Sequence, residues 1–187
     1  MLFILYLKIN LFHFGISILE SLIASIIFIF LLLIYLRPRL KISTKIGSEK
    51  DTIDNSNELY YLFKVVNMSW YSAYDIYVEL NLLIPYNVKE GINYRSISLP
   101  LKRDKLNFIA PFRPKWYKKD YGQHAMIFRT KEDLSKILEK NSNILRLQVT
   151  LKHGLSGLSK VYHKSYIGTS DIIKGHFEFG NSFKIIQ

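Results

Sequence analysis

One apolar run, from Gly15 to Leu36, is followed at once by Arg37-Pro38-Arg39-Leu40-Lys41. At about 1.5 Å of rise per residue, a helix of this length covers roughly 33 Å, enough for a hydrocarbon layer of about 30 Å. Within it, Ile26-Ile27-Phe28-Ile29-Phe30-Leu31-Leu32-Leu33-Ile34 is apolar on every helical face. An amphipathic interfacial helix needs a polar face, and this segment has none. The run therefore predicts a transmembrane helix over 15–36. Residues 1–14 are also apolar but too short to cross alone, and either extend the helix or lie in the outer interface. Glu20 is the only charge inside the run, placed either at the far headgroup layer or in a polar contact between helices.

The flanks decide cleavage and orientation. A cleavable signal needs a basic start, a shorter core and small residues at the cleavage site. Here the start carries only Lys8, and the core is followed by Arg37, Pro38, Arg39 and Leu40, so an uncleaved anchor is expected. Arg37, Arg39, Lys41 and Lys45 on one side oppose Lys8 and a titratable His13 on the other. The positive-inside rule then places the C-terminal part in the cytoplasm and the N-terminus outside, in a single pass through the cell inner (plasma) membrane.

Beyond the anchor, 37–187 is the size of one ordinary domain. Lys8 and Glu20 cancel, so the net charge of +11 belongs entirely to this part. Anionic lipid attracts such a domain by about 1 kcal/mol for each Lys or Arg near the surface. Membrane proximity is the plainer reading of the charge, ahead of nucleic-acid binding. The absence of cysteine excludes disulfides, Cys-ligated metals and thiol nucleophiles, and fits a reducing cytosol. The heavy use of Ile, Asn, Lys and Tyr suggests an AT-rich bacterial genome.

The domain reads as β-structure. Leu40–Ile46 alternates apolar and polar, 47–58 is a polar loop, and Leu59–Asn67 is rich in aromatic and β-branched residues. After a turn at Asn67–Ser72, Ala73, Asp75, Tyr77, Glu79 and Asn81 alternate with Tyr74, Ile76, Val78, Leu80 and Leu82. Further strands are expected at Tyr94–Leu99, His124–Arg129, Ile144–Lys152, Lys160–Ile167 and Gly175–Phe179. Along one of these, Leu145, Leu147, Val149 and Leu151 alternate with Arg146, Gln148, Thr150 and Lys152. One helix is expected at Thr130–Lys140, with Thr130 as cap, Asp133 at capping-box spacing and Leu134, Ile137 and Leu138 on one face. Seven or eight short strands with one late helix predict a mainly β fold, an antiparallel β-sandwich, with a small closed β-barrel as the alternative.

Phe63-Lys64-Val65-Val66-Asn67-Met68-Ser69 followed by Ala73-Tyr74-Asp75-Ile76-Tyr77-Val78 resembles the strand–turn–strand of bacterial immunoglobulin-like modules. The resemblance implies an Ala in a crowded core position and an Asn side chain bonded to the turn backbone. Leu145–Tyr166, with Gly154-Leu155-Ser156-Gly157 and Lys160-Val161-Tyr162, is similar to the late strands of uncharacterised single-pass bacterial membrane proteins with a cytosolic immunoglobulin-like domain. It is also similar to β-sandwich domains appended to some bacterial ion channels. No filter sequence such as Thr-Val-Gly-Tyr-Gly occurs, so channel activity is not implied. Together these segments cover about a third of the chain and imply a fold and a layout, without an activity.

Motifs for chemistry are sparse. His13, His124, His153, His163 and His176 form no metal-ligand pair at helical spacing. His153 and His163 on neighbouring strands, with Asp171 nearby in sequence, make a weak metal candidate. Gly154-Leu155-Ser156-Gly157-Leu158 lacks the second glycine of a nucleophile elbow and reads better as a turn between strands. The densest basic cluster is Arg113-Pro114-Lys115-Trp116-Tyr117-Lys118-Lys119-Asp120-Tyr121. Such interleaving suits a solvated loop covering a sheet edge, a membrane interface, or, less well, single-stranded nucleic acid. It lies in a long connection, Pro100 to Gly122, which is either functional or covers an edge. The residues expected at a membrane surface are Arg37, Arg39, Lys41, Lys45, Arg113, Lys115, Trp116, Lys118 and Lys119.

The expected function is a membrane-tethered, non-catalytic module that binds another protein or scaffolds a complex at the membrane. No catalytic, metal or cofactor-binding residues are expected, and its partners are the lipid bilayer with its anionic headgroups and a second protein. The alternative is a membrane effector or sensor of an anionic ligand of cyclic-nucleotide type in bacterial defence or signalling.

Overall fold

In a computed structural model of the chain, residues 2–50, 58–116, 121–140 and 142–187 are described, with side chains from His13 onward. Part of the polar loop expected at 47–58, and residues 117–120 of the basic cluster, therefore lie outside the described residues. The chain divides into two units, Met1–Arg37 and Pro38–Gln187.

The first unit is one continuous helix, α1 (Leu2–Tyr35), so the apolar residues before Gly15 extend it. Within it, His13–Tyr35 is long and apolar enough to cross a membrane, with a mean hydropathy of 2.6. The hydroxyls of Ser17 and Ser25 donate to the carbonyls of His13 and Ser21 at 3.0 and 2.8 Å. These local bonds satisfy the polar groups that hydrocarbon would leave stranded. The helix stops just before Arg37-Pro38 because proline disfavours helical backbone in the residue preceding it.

The second unit contains β1 (Leu40–Ile42), β2 (Ile46–Lys50), β3 (Leu59–Asn67), β4 (Ala73–Val88), β5 (Gly91–Leu99), β6 (Lys105–Ile109), β7 (Ala125–Thr130), α2 (Leu134–Leu138), β8 (Ile144–His153), β9 (Ser159–Ile167), β10 (Ile172–Lys174), β11 (His176–Phe177) and β12 (Ile185–Ile186). In one sheet β1 and β2 lie end to end along one edge of β3 and β7 along the other, and β10 adds in parallel to β2. In the other, β4 is flanked on one side by β8 and then β9, and on the other by β5 and β6 in succession. The inner faces share one core: Phe63, Val65 and Phe128 from the first sheet meet Val78, Leu80 and Leu147 from the second. The chain is thus mainly β, with one N-terminal apolar helix and sheets that are antiparallel except for β10.

Several expectations are corrected. The strand expected at Leu40–Ile46 is broken at Ser43–Lys45, and β2 runs to Lys50, into the expected loop. The break is stabilised because Ser43 is bonded from three directions. Its N–H donates to Lys64 O at 2.8 Å, its Oγ accepts from Lys64 N at 3.2 Å, and its carbonyl accepts the Tyr166 hydroxyl at 2.8 Å. Burial pushes the Tyr166 phenol well above its usual range.

In β4 the alternation slips. Three steps from Tyr74 to Tyr77 face two from Lys152 to Thr150, a bulge centred on Asp75 at φ 47°. Ala73 is therefore buried and Tyr74 exposed, the reverse of the strict alternation, while Ile76, Val78 and Leu80 point inward as expected. The helix is shorter than expected, and Asp133, not Thr130, caps it by accepting from Lys136 N. Thr130 instead ends β7 and donates to Pro100 O at 2.7 Å. The long connection contains β6. The expected strand at Gly175–Phe179 reduces to β11, which pairs with β12 and lays Phe177 and Ile185 over Tyr60 and Leu62 on the outer face of the first sheet.

Candidate interaction surface

Three loops gather at the end of the domain where the chain arrives from α1. Arg39 N donates to Ser69 Oγ at 2.7 Å and Met68 N to Arg39 O at 2.7 Å, which fixes the arriving strand to the β3–β4 turn. Phe112 N donates to Ser69 O at 2.8 Å, bringing in the β6–β7 connection, and Gly154 N donates to Ser72 O at 2.9 Å, bringing in the β8–β9 turn. Asn67 organises the centre: its Nδ2 donates to Tyr71 O and Ala110 O at 3.0 and 2.9 Å, and its Oδ1 accepts from Ser69 N at 3.0 Å. This is the turn-bonded Asn that the resemblance implies.

Of the residues expected at a membrane surface, Arg39 and Lys41 are exposed where the chain arrives, and Lys115 and Trp116 are exposed in the β6–β7 connection. Arg113 is half-buried beside them in sequence, and Arg37 is exposed at the end of the first unit. Lys118 and Lys119 lie outside the described residues. Lys45 does not join this group. It sits at the break between β1 and β2, donating to Asp171 at 2.8 Å and to Ser170 O at 3.1 Å. Despite burial, which pushes the other way, this lysine and the Ile167 N–H hold the Asp171 carboxyl below its usual range.

Lys64 projects from the outer face of β3 and is 2% exposed, with Nζ donating to Glu178 O at 2.5 Å and Ser182 O at 2.7 Å. Burial lowers its pKa, and the Glu178 carboxylate works against that shift. It fastens the C-terminal ribbon to the sheet. His124 is fully buried between the rings of Phe112 and Tyr121, at 5.1 and 5.8 Å, and neither ring nitrogen has a hydrogen-bond partner among the described residues. Burial and, secondarily, the Lys64 charge lower its pKa, keeping the imidazole neutral.

His153 is buried too, and desolvation lowers its pKa. Its Nδ1 accepts the Ser156 N–H at 3.3 Å and lies 3.2 Å from Ser156 Oγ. A nitrogen already accepting a backbone N–H is poorly placed to take a serine proton, so the pair closes the β8–β9 turn. Gly157 at φ 67° completes that turn. His163 lies opposite Gln148, five residues along β8 from His153, or about 17 Å. The candidate metal pair is therefore not assembled, and no metal-holding cluster of His, Asp and Glu occurs among the described residues.

At the opposite end, β4 and β5 continue past the sheet. The partner of β8's first residue, Ile144, is Leu83, so Ile84–Val88 pair only with β5. This two-stranded arm extends about 17 Å beyond β8. Nearly all of β5 is exposed, Ile92 by 64%, and β5 pairs on one side only among the described residues. Sequence reasoning located Tyr94–Leu99 as a strand but did not identify the arm, because alternation along a strand does not reveal whether a neighbour covers it.

No family model matches the chain, and no curated protein matches it. Among solved structures, it is similar to a FixG-related protein from Vibrio parahaemolyticus at 11% identity and a TM-score of 0.23, covering 71% of this chain and 96% of that one. At that score the likeness assigns neither a fold nor a role.

Proposed function

We propose that the chain is a membrane-tethered, non-catalytic module in which α1 anchors an immunoglobulin-like domain on the cytoplasmic side, and that the domain holds a protein partner. The immunoglobulin-like reading is supported by strand order: β1/β2–β3–β7 faces β5–β4–β8–β9, with a short helix between β7 and β8. The cytoplasmic placement is supported by Arg37, Arg39 and Lys41 on one flank of the helix against Lys8 on the other. The observation that carries the partner is the β4–β5 arm. Its open edge can pair with an added strand, while Ile92 and Tyr94 supply apolar contacts.

Extraction of the full chain in mild detergent should recover a second protein with it, and Ile92→Lys should lose that protein while the chain stays folded. Recovery of an undecorated monomer from wild type would refute the reading. Protease added to right-side-out vesicles should spare residues 40–187, and their digestion would reverse the orientation.

For the sensor alternative, a concavity of about 680 Å³ lies beside Tyr60, Lys102 and Lys131. There the ammonium of Lys131 is already paired with Glu58, and Tyr60 is only 3% exposed, which leaves little for an anion or a stacking base. Heat from any member of a cyclic-nucleotide panel in calorimetry would revive it.

A further inference from the structure

We infer that the end of the domain where the chain arrives from α1 is itself a lipid-contacting surface, a second and peripheral membrane contact made by loop tips. The inference rests on the anchor proposed above and extends it to residues outside the helix. Each of the three loops gathered there turns a large apolar side chain to solvent. These are Trp70 in the β3–β4 turn at 63% exposure, Trp116 in the β6–β7 connection at 79% and Leu155 in the β8–β9 turn at 59%. A single exposed apolar residue carries little meaning, but one from each of three converging loops forms a pattern.

The occupant follows from what surrounds these tips. Lys115 is exposed beside Trp116, and Arg39 and Lys41 are exposed in the arriving strand that Arg39 N fixes to the β3–β4 turn. Tryptophan beside cations is the composition that the headgroup layer favours, since the indole has an apolar body and one N–H donor, while the cations meet anionic headgroups. The chain also supplies proximity. Only Leu36, Arg37 and Pro38 separate the last helical residue, Tyr35, from Arg39, whose N–H is fixed to Ser69, and such a link reaches at most about 14 Å. With α1 across a bilayer, this is the end of the domain that the chain holds at the headgroups. A protein partner has no such argument here, and the open arm that suits one lies at the opposite end.

Trp70 and Trp116 are the only two tryptophans in the chain, so each can report its own surroundings. Full-length Trp116→Phe and Trp70→Phe chains are reconstituted in phosphatidylcholine–phosphatidylglycerol vesicles containing acyl-chain-brominated lipid. Both should show blue-shifted, bromolipid-quenched emission and protection from acrylamide, with quenching reduced in high salt or pure phosphatidylcholine. If alkali-resistant flotation shows the chain integrated but bromolipid leaves either tryptophan unquenched, this inference falls and the anchor stands. Protection from acrylamide without bromolipid quenching also overturns it, because an aqueous partner then covers the tips. A chain that alkali strips from the vesicles overturns the anchor and this inference together.

Discussion

β3 and β5 are both nine-residue strands rich in Ile, Leu, Val or Tyr, yet they have opposite fates. Eight residues of β3 are buried, whereas β5 is exposed along nearly its whole length. Pairing makes the first difference: among the described residues β3 has neighbours on both edges, β5 on one. The faces make the second. Tyr61, Phe63 and Val65 point into the core shared with the second sheet, while Tyr60 and Leu62 are covered by the C-terminal ribbon and Lys64 is bonded to it. The first part of β5 follows β4 beyond the sandwich, where neither face has a partner among the described residues, and only at its end does Leu99 pack against the core. Burial is a property of what the fold lays over a strand, and similar apolar content yields a stability element in one place and a surface for others in the second.

The contrast is tested hardest at Phe63, fully buried with its ring 5.6 Å from that of Tyr166. Phe63→Ala should cost about 3–5 kcal/mol in denaturant unfolding of the domain, through lost burial and a residual cavity. A cost below 1 kcal/mol would mean that the core around β3 collapses freely, and the strand's central role would be lost. Lys64→Met comes next. It keeps the apolar stem but strands the carbonyls of Glu178 and Ser182, at an expected cost of about 1–3 kcal/mol. The loss should be local, seen as faster amide exchange across 176–186. If exchange there is unchanged, the lysine does not fasten the ribbon.

Much of this was legible in the sequence, and the exceptions have physical causes. The apolar run of α1 and the alternation of β8 are local patterns, read directly from residue order. β3 was legible as a strand, and Tyr60 and Leu62 beside Tyr61 and Phe63 make it apolar on both faces, a signature of burial on both. What covers the outer face was not legible, because Phe177 and Ile185 come from far along the chain. The Asp75 bulge was hidden because a one-residue slip has no fixed sequence signature and reverses the pattern on one side only. In the surface where three loops meet, Arg113, Lys115 and Trp116 stood out as a cluster, while Trp70 and Leu155 did not. Each is a single residue in a turn, and only topology brings them together.

A smaller effect concerns His124, which lies just before β7, its carbonyl accepting from Asn67 N at 2.8 Å. Folding keeps this imidazole neutral, so its folded pKa lies below the unfolded value of about 6.5. Above that pH both states are neutral and the group contributes no pH dependence. Below it the unfolded chain binds a proton that the folded one refuses, and stability falls as pH falls, by up to about 1.4 kcal/mol per unit. His153 behaves in the same direction. Unfolding measured between pH 7 and 5 should therefore show an acid-side loss, and His124→Phe should remove part of it while leaving the His153 share. An unchanged slope in that variant would mean that water or a partner reaches the imidazole.

The smallest stability effect is expected where the proposed function places the largest binding effect. Ile92 is exposed at the start of β5, opposite Asn87 near the tip of the arm. Ile92→Lys removes little buried surface, since its side chain is 64% exposed, so unfolding should shift by no more than about 0.5 kcal/mol. The added charge is also the kind that natural edge strands use to discourage pairing. A stability loss near that of Phe63→Ala would show that the arm folds back on the domain and is no free edge. Unchanged stability together with loss of the co-purifying protein would separate the two strands by role, one holding the domain together and the other offering it to a partner.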